Sequence, residues 1–225
     1  MSRMLLCCGA LAGCLLAACD DGTLRAFEPQ ALGFSGDSSV GGSSGTPAAG
    51  TAAGGAPVKP TSPLLIDDFE DGDTIAQKPL GWWYPVNDGT GTQGFGIEPV
   101  SRGTPSVYAL RTHGSGFDNW GAAIGVDLTG ESPSLNALGY RQLCFTARVE
   151  AGSSSLVQVQ FLQGGPHYIQ ELSLSEAWTR YCRPLGEFVT SAQQALVPSA
   201  LLALQVFFPP GAPFEFWLDD VEVVP

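Results

Sequence analysis

The chain has 225 residues, enough for one domain or two small ones, and its 22 acidic against 10 basic side chains give a formal net charge of −12 at pH 7. That balance argues against a nucleic-acid partner, whose phosphates need clustered Lys and Arg. Only 14% of the residues are charged, whereas 29 Gly and 17 Pro make up about one residue in five, so either a segment is of low complexity or the fold is rich in turns.

At the N-terminus a single positive residue, Arg3, precedes an uncharged run from Met4 to Ala18, and Cys19 and the acidic pair Asp20-Asp21 follow at once. This is the pattern of a secretory signal. The run is 15 residues long, short of the roughly 18 to 20 apolar residues that cross a bilayer. Residues Leu16-Ala17-Ala18-Cys19 resemble the lipobox of bacterial lipoproteins. The resemblance implies cleavage after residue 18 and acylation of Cys19, and several acyl chains on one residue anchor a protein to a membrane without spanning it. The expected place is the cell envelope, lipid-anchored to a bacterial membrane with the domain outside the cytoplasm. Asp20 resembles an inner-membrane retention signal whose rule varies between lineages, so the choice of membrane stays open. An ordinary signal peptide that happens to contain Cys is the alternative.

Residues 19–62 form a second region. From Ser35 to Pro57 there are 7 Gly, 5 Ser, 5 Ala, 2 Thr and 2 Pro, a composition that buries too little apolar area to offset the entropy lost on ordering. A flexible tether is expected, with a root-mean-square span of roughly 35 Å.

Residues 63–225 form the third region and suffice for one ordinary core. They read as short strands between turns: 64–69, 81–86, 106–112, 120–128, 140–150, 155–162, 168–175, 178–185, 201–208 and 214–224. Turn signals fill the gaps, among them Asn87-Asp88-Gly89, Gly164-Gly165-Pro166 and Pro209-Pro210-Gly211. Thr190 to Leu196 is the one helix candidate. Strands at this spacing, without intervening long helices, predict an all-β sandwich of jelly-roll type, with mixed α/β as the alternative. Within the strands, Val157, Val159 and Phe161 alternate with Gln158 and Gln160, and Leu143, Phe145, Ala147 and Val149 alternate with Cys144, Thr146 and Arg148. One face of each strand packs and the other is polar, either as solvated exterior or as the floor of a ligand groove.

The opening Asp67-Asp68-Phe69-Glu70-Asp71-Gly72-Asp73 and the ending Phe214-Glu215-Phe216-Trp217-Leu218-Asp219-Asp220-Val221 resemble galactose-binding-like jelly rolls, as do Trp178 and Tyr181 followed by Pro184-Leu185. Carbohydrate-binding modules of families 11 and 30 are the nearest of these in pattern, and the stretches DDFEDGD, WWYPVNDGTGTQ and ALRTHGSGFDNWGAAIGVDL look like a group of myxobacterial surface lipoproteins. The resemblance spans about residues 64–224, and the fold it implies hosts many functions.

Five carboxylates in seven residues at 67–73 repel one another, and a hard cation with six to eight oxygen ligands relieves that. The resemblance implies a structural calcium joining the first strand to the last, with Glu70 and Asp219 or Asp220 as ligands; a solvated acidic turn is the alternative. The spacing is not that of an EF-hand.

Processing would discard Cys7, Cys8 and Cys14, leaving Cys144 and Cys182 in the domain. An even pair in an exported protein favours a disulfide over two separate thiols. The inventory for catalysis is poor. His113 and His167 are expected in Gly-flanked loops, Gly114-Ser115-Gly116 lacks the spacing of a nucleophile elbow, and lipidated or paired cysteines argue against a His/Cys metal site. A non-catalytic protein is expected.

The aromatics are more informative. Trp82, Trp83, Tyr84, Trp120, Tyr140, Tyr168, Trp178, Tyr181 and Trp217 lie in the domain. Adjacent Trp82 and Trp83 point to opposite faces of an extended strand, and Trp178 and Trp217 sit in apolar patterns that suggest core. A sugar ring stacks its apolar CH face on an aromatic, while its hydroxyls need planar donors and acceptors. Tyr140, Arg148, Gln158, Gln160, His167 and Tyr168 supply that chemistry, and the resemblance, in which the glycan lies across a concave sheet, makes them the expected ligand contacts. Two functions follow: a lipid-anchored carbohydrate-binding domain, or a surface structural or protein-interaction lipoprotein that binds no sugar. The glycan, any protein partner and the oligomeric state are not legible.

Overall fold

The computed structural model describes residues 59–102 and 106–225. The signal at 1–18, Cys19 and the tether as far as residue 58 lie outside the described residues. The described chain forms eleven strands: β1 (Leu64–Asp67), β2 (Trp83–Asn87), β3 (Thr92–Pro99), β4 (Tyr108–Ser115), β5 (Ala122–Asp127), β6 (Gln142–Val149), β7 (Leu156–Leu162), β8 (His167–Ser173), β9 (Thr179–Pro184), β10 (Ala203–Phe208) and β11 (Phe214–Val224). They pair antiparallel in two sheets. One runs β3-β4-β11-β6-β9, with β1 also against β11, and the other runs β2-β5-β10-β7-β8. The β-sandwich expected from the strand pattern is thus the observed one.

Alternation along the strands builds the core between the sheets. Val157, Val159 and Phe161 of β7 are buried against Leu143, Phe145, Ala147 and Val149 of β6, together with Leu204, Val206 and Phe208 of β10 and Phe214, Phe216 and Leu218 of β11. The rings of Phe208 and Phe214 stack at 4.1 Å, and Phe161 meets Phe188 edge-on at 5.0 Å. Aromatic pairs of this kind contribute about 0.5–1.5 kcal/mol each beyond the area they bury. Cys144 and Cys182 stand directly opposite each other in β6 and β9 and are joined by a disulfide.

Three local expectations are corrected. Strand β3 is missing from the strands expected from sequence, which pass from 81–86 to 106–112, yet it pairs with β4 along its whole length. It lies at the sheet edge, where Gly and Pro are tolerated, and the ring of His113 lies across Gly94, where a Cβ would fall 2.3 Å from Nε2. His113 and His167, expected in loops, lie in strands β4 and β8. Residues Thr190 to Leu196 are not helical. Gln193 adopts a φ of 61°, and the Oγ1 of Thr190 accepts from Gln194 N at 3.2 Å, so the segment closes on itself as a turn flanked by the Val189–Ala195 bridge.

Trp178 and Trp217 are not between the sheets. Leu218 and Phe216 face the core, so Trp217 takes the outer side of β11, paired across the sheet with Arg111 of β4 and Arg148 of β6. Arg102 and Arg148 lie over Trp178 at 5.1 and 5.5 Å, and Arg148 and Arg111 over Trp217 at 5.2 and 5.3 Å. This ladder of three arginines and two indoles covers the middle of the six-stranded sheet, and Arg111 is fixed by Glu98 at 3.0 Å and Glu215 at 2.7 Å.

Candidate functional site

The outer face of the five-stranded sheet carries a different chemistry. Because Trp83 faces the core at 4% exposure, Trp82, Tyr84 and Val86 must face outward, and Trp82 is 59% exposed. Cross-strand register then sets three rows. Tyr84, Gly125, Gln205, Gln160 and Ile169 lie opposite one another on β2, β5, β10, β7 and β8. On one side run Asp127, Ala203, Leu162 and His167, and on the other Val86, Ala123, Phe207, Gln158 and Glu171. Five strands give a surface about 19 Å across.

Small residues on β5 shape the middle of it. A Cβ on Gly125 would lie 2.8 Å from Cζ and 2.9 Å from the hydroxyl of Tyr84, so the far edge of the tyrosine ring rests over that glycine. From there the Tyr84 hydroxyl accepts a hydrogen bond from Gln205 Nε2 at 3.3 Å. Burial raises the Tyr84 phenol above its ordinary value; the Gln205 hydrogen bond opposes that and the Asp127 carboxylate adds to it. At the far end Trp120 stacks on Phe207 with the ring centres 6.2 Å apart. A depression of about 450 Å³ opens beside Tyr84, lined also by Asp127, Leu162, Gly164 and Leu202. Burial raises the carboxyl of Asp127.

The amides form a chain. His167 Nδ1 meets Gln160 Oε1 at 2.9 Å, Gln160 Nε2 donates to Gln158 Oε1 at 3.3 Å, and Gln158 Nε2 donates to Glu171 Oε1 at 3.3 Å. Gln160 is only 5% exposed, so its orientation is held by its neighbours. A planar amide fixed in this way offers a defined donor or acceptor to a ligand.

Of the residues expected to contact a ligand, Gln158, Gln160 and His167 come together here. Tyr168 does not join them, since it pairs with Phe161 and faces the core; Tyr140 also packs against the core, and Arg148 is on the opposite sheet, held in the tryptophan ladder. The face adds Trp82, Tyr84, Asp127, Gln205, Phe207 and Trp120. Alternation across Trp82, Trp83 and Tyr84 signals the β2 members, and the lone amide in the apolar run Leu204-Gln205-Val206 signals Gln205.

The acidic ends of the chain meet elsewhere. The Glu70 carboxylate accepts hydrogen bonds from Val107 N at 2.9 Å and Tyr108 N at 3.4 Å. Asp219, fully buried, accepts from Ser106 Oγ at 2.7 Å and lies 3.1 Å from Arg102 Nη1. Asp220, with a φ of 50°, meets Arg102 Nη2 at 2.9 Å and Thr146 Oγ1 at 3.1 Å. Burial raises the Asp219 carboxyl to about 6. This donor set does not fit calcium: the carboxylates implied as ligands already accept from N–H and O–H groups, and a guanidinium stands against both aspartates, where a divalent cation would be repelled.

No family model matches this sequence, and no curated protein does. Among solved structures, the fold is similar to the family 11 carbohydrate-binding module of a cellulosomal cellulase of Clostridium thermocellum, with a TM-score of 0.53 at 10% identity over 72% of this chain and 94% of that one. A family 11 module from the same organism, solved in complex with a β-1,3-1,4-mixed-linked tetrasaccharide, gives 0.52 at 11% identity over 72% and 95%. The family 30 carbohydrate-binding module of another cellulosomal cellulase of Clostridium thermocellum gives 0.51 at 15% identity over 72% and 97%. At these identities the likeness establishes the fold: the domain is a jelly-roll β-sandwich of the kind that carbohydrate-binding modules have.

Proposed function

We propose that the domain binds carbohydrate, without catalysis, on the outer face of its five-stranded sheet. The observation that carries the reading is the row across that face, in which the Tyr84 ring rests over Gly125 and is followed by two oriented amides, Gln205 and Gln160. Trp82 and Tyr84 offer aromatic surface to the CH faces of sugar rings, and the amides, His167 and Asp127 offer donors and acceptors to hydroxyls. The carbohydrate-binding modules of like fold support the same reading. The face on the other sheet suits a ligand less well, because its two indoles are already stacked with arginines. A glycan array probed with the chain lacking its first 19 residues tests this. Selective binding that Tyr84→Ala and Trp82→Ala abolish without lowering the melting temperature supports it. A blank array overturns it in favour of a structural or protein-interaction role.

The same proposal places the domain at a bacterial membrane through acylated Cys19, supported by the lipobox-like residues 16–19. Metabolic labelling with a radioactive fatty acid tests the anchor: label on the chain that Cys19→Ala removes supports it, and an unlabelled, freely released chain overturns it.

A further inference from the structure

We infer that the guanidinium of Arg102 is the resident cation of the two aspartates Asp219 and Asp220 of β11, in the place that a divalent metal would otherwise take. Its Nη2 donates to Asp220 Oδ2 at 2.9 Å, and its Nη1 stands 3.1 Å from Asp219 Oδ2 as an ion pair without hydrogen-bond geometry, so one planar group sets its charge against two carboxylates, which a point charge does not reproduce. The Arg102 side chain is 6% exposed and that of Asp219 is fully buried, so water screens the attraction little. Other protein donors share these carboxylates. Asp219 takes Ser106 Oγ and Asp220 N, and Asp220 takes Thr146 Oγ1. On its other side the guanidinium lies over the Trp178 ring at 5.1 Å, which fixes it in place.

The geometry also says what the arginine does for the fold. Arg102 and Ser106 bind the acids of β11, while Val107 N and Tyr108 N, next along the chain, bind Glu70 just after β1. One stretch leading into β4 is therefore gripped by the first and the last strand together. Repulsion between neighbouring Asp219 and Asp220 is met by a positive charge that the chain itself carries.

Thermal melting of the full chain in mild detergent tests the inference, with excess EDTA and then with millimolar CaCl₂, for the wild type and Arg102→Ala. The wild-type melting temperature is expected to be the same in both media. Arg102→Ala is expected to melt lower by roughly 5–15 °C, because it leaves a buried carboxylate unpaired. If Arg102→Ala does not fold, Arg102→Lys, which keeps the charge and loses the planar group, takes its place and is expected to melt lower than the wild type. A wild-type transition that EDTA lowers and calcium restores would overturn the inference, as would a substituted chain that melts at the wild-type temperature.

Discussion

The indole Nε1 of Trp83 donates a hydrogen bond of 2.8 Å to Oδ2 of Asp67, tying the start of β2 to the end of β1 inside the core. The other oxygen of Asp67 accepts from Phe69 N at 2.9 Å. Burial nevertheless outweighs these two bonds and raises the Asp67 carboxyl from 3.8 to about 7. Between those values the folded state holds a proton that the unfolded state has released, so this group makes the domain less stable as pH rises from about 4 to about 7. Melting temperatures should fall across that interval, and the fall should be smaller in Asp67→Asn, whose amide does not titrate. At the acid end of that interval the same substitution should lower stability by about 1–3 kcal/mol, since an amide nitrogen would face a donor, and the difference should shrink as pH rises.

Gly125 is a positioning residue for the proposed glycan face. Its Cβ would collide with the Tyr84 ring, so Gly125→Ala should push that ring off the sheet. Glycan affinity by titration calorimetry should drop by about tenfold, the value of one aromatic contact. Tyr84→Phe, which keeps the ring and loses only the hydrogen bond from Gln205, should retain most of the affinity.

The Cys144–Cys182 disulfide closes a loop of 38 residues. In the chain-entropy model that is worth roughly 3–4 kcal/mol. Urea denaturation with and without reductant should show a loss of this size, and Cys144→Ala with Cys182→Ala should melt alike in both.

Arg148 separates the two sheets functionally. Its guanidinium stacks on Trp178 and Trp217 and is paired with Glu150, so Arg148→Ala should lower stability by about 1–2 kcal/mol. Glycan binding should be unchanged. Loss of binding at wild-type stability would move the site to the six-stranded sheet.

Strand positions and the inward faces of β6 and β7 were legible because alternation at period two is a local property: whichever strands neighbour it, a run such as Val157-Gln158-Val159-Gln160-Phe161 buries one side. The cysteine pair was legible by elimination along the chain. Membership of the ligand face was not. Arg148 and Gln158 sit on polar faces of successive strands in sequence, yet those strands belong to different sheets, so the two side chains point out of opposite sides of the sandwich. Tyr84, Gln205 and Gln160 are far apart in the chain and meet only through the register of β2, β5, β10 and β7.

The acidic ends divide in the same way. Composition alone determined that carboxylates would crowd at 67–73 and at 219–220, where either solvent or a cation relieves their repulsion. Which of the two acts was a tertiary matter. Arg102 is more than a hundred residues from Asp219 in sequence, and only the pairing of β4 with β11 brings the segment before β4 over the aspartates, where a buried guanidinium meets both. Local chemistry states a charge to be neutralised; long-range packing, which no short stretch of sequence encodes, selects the group that neutralises it.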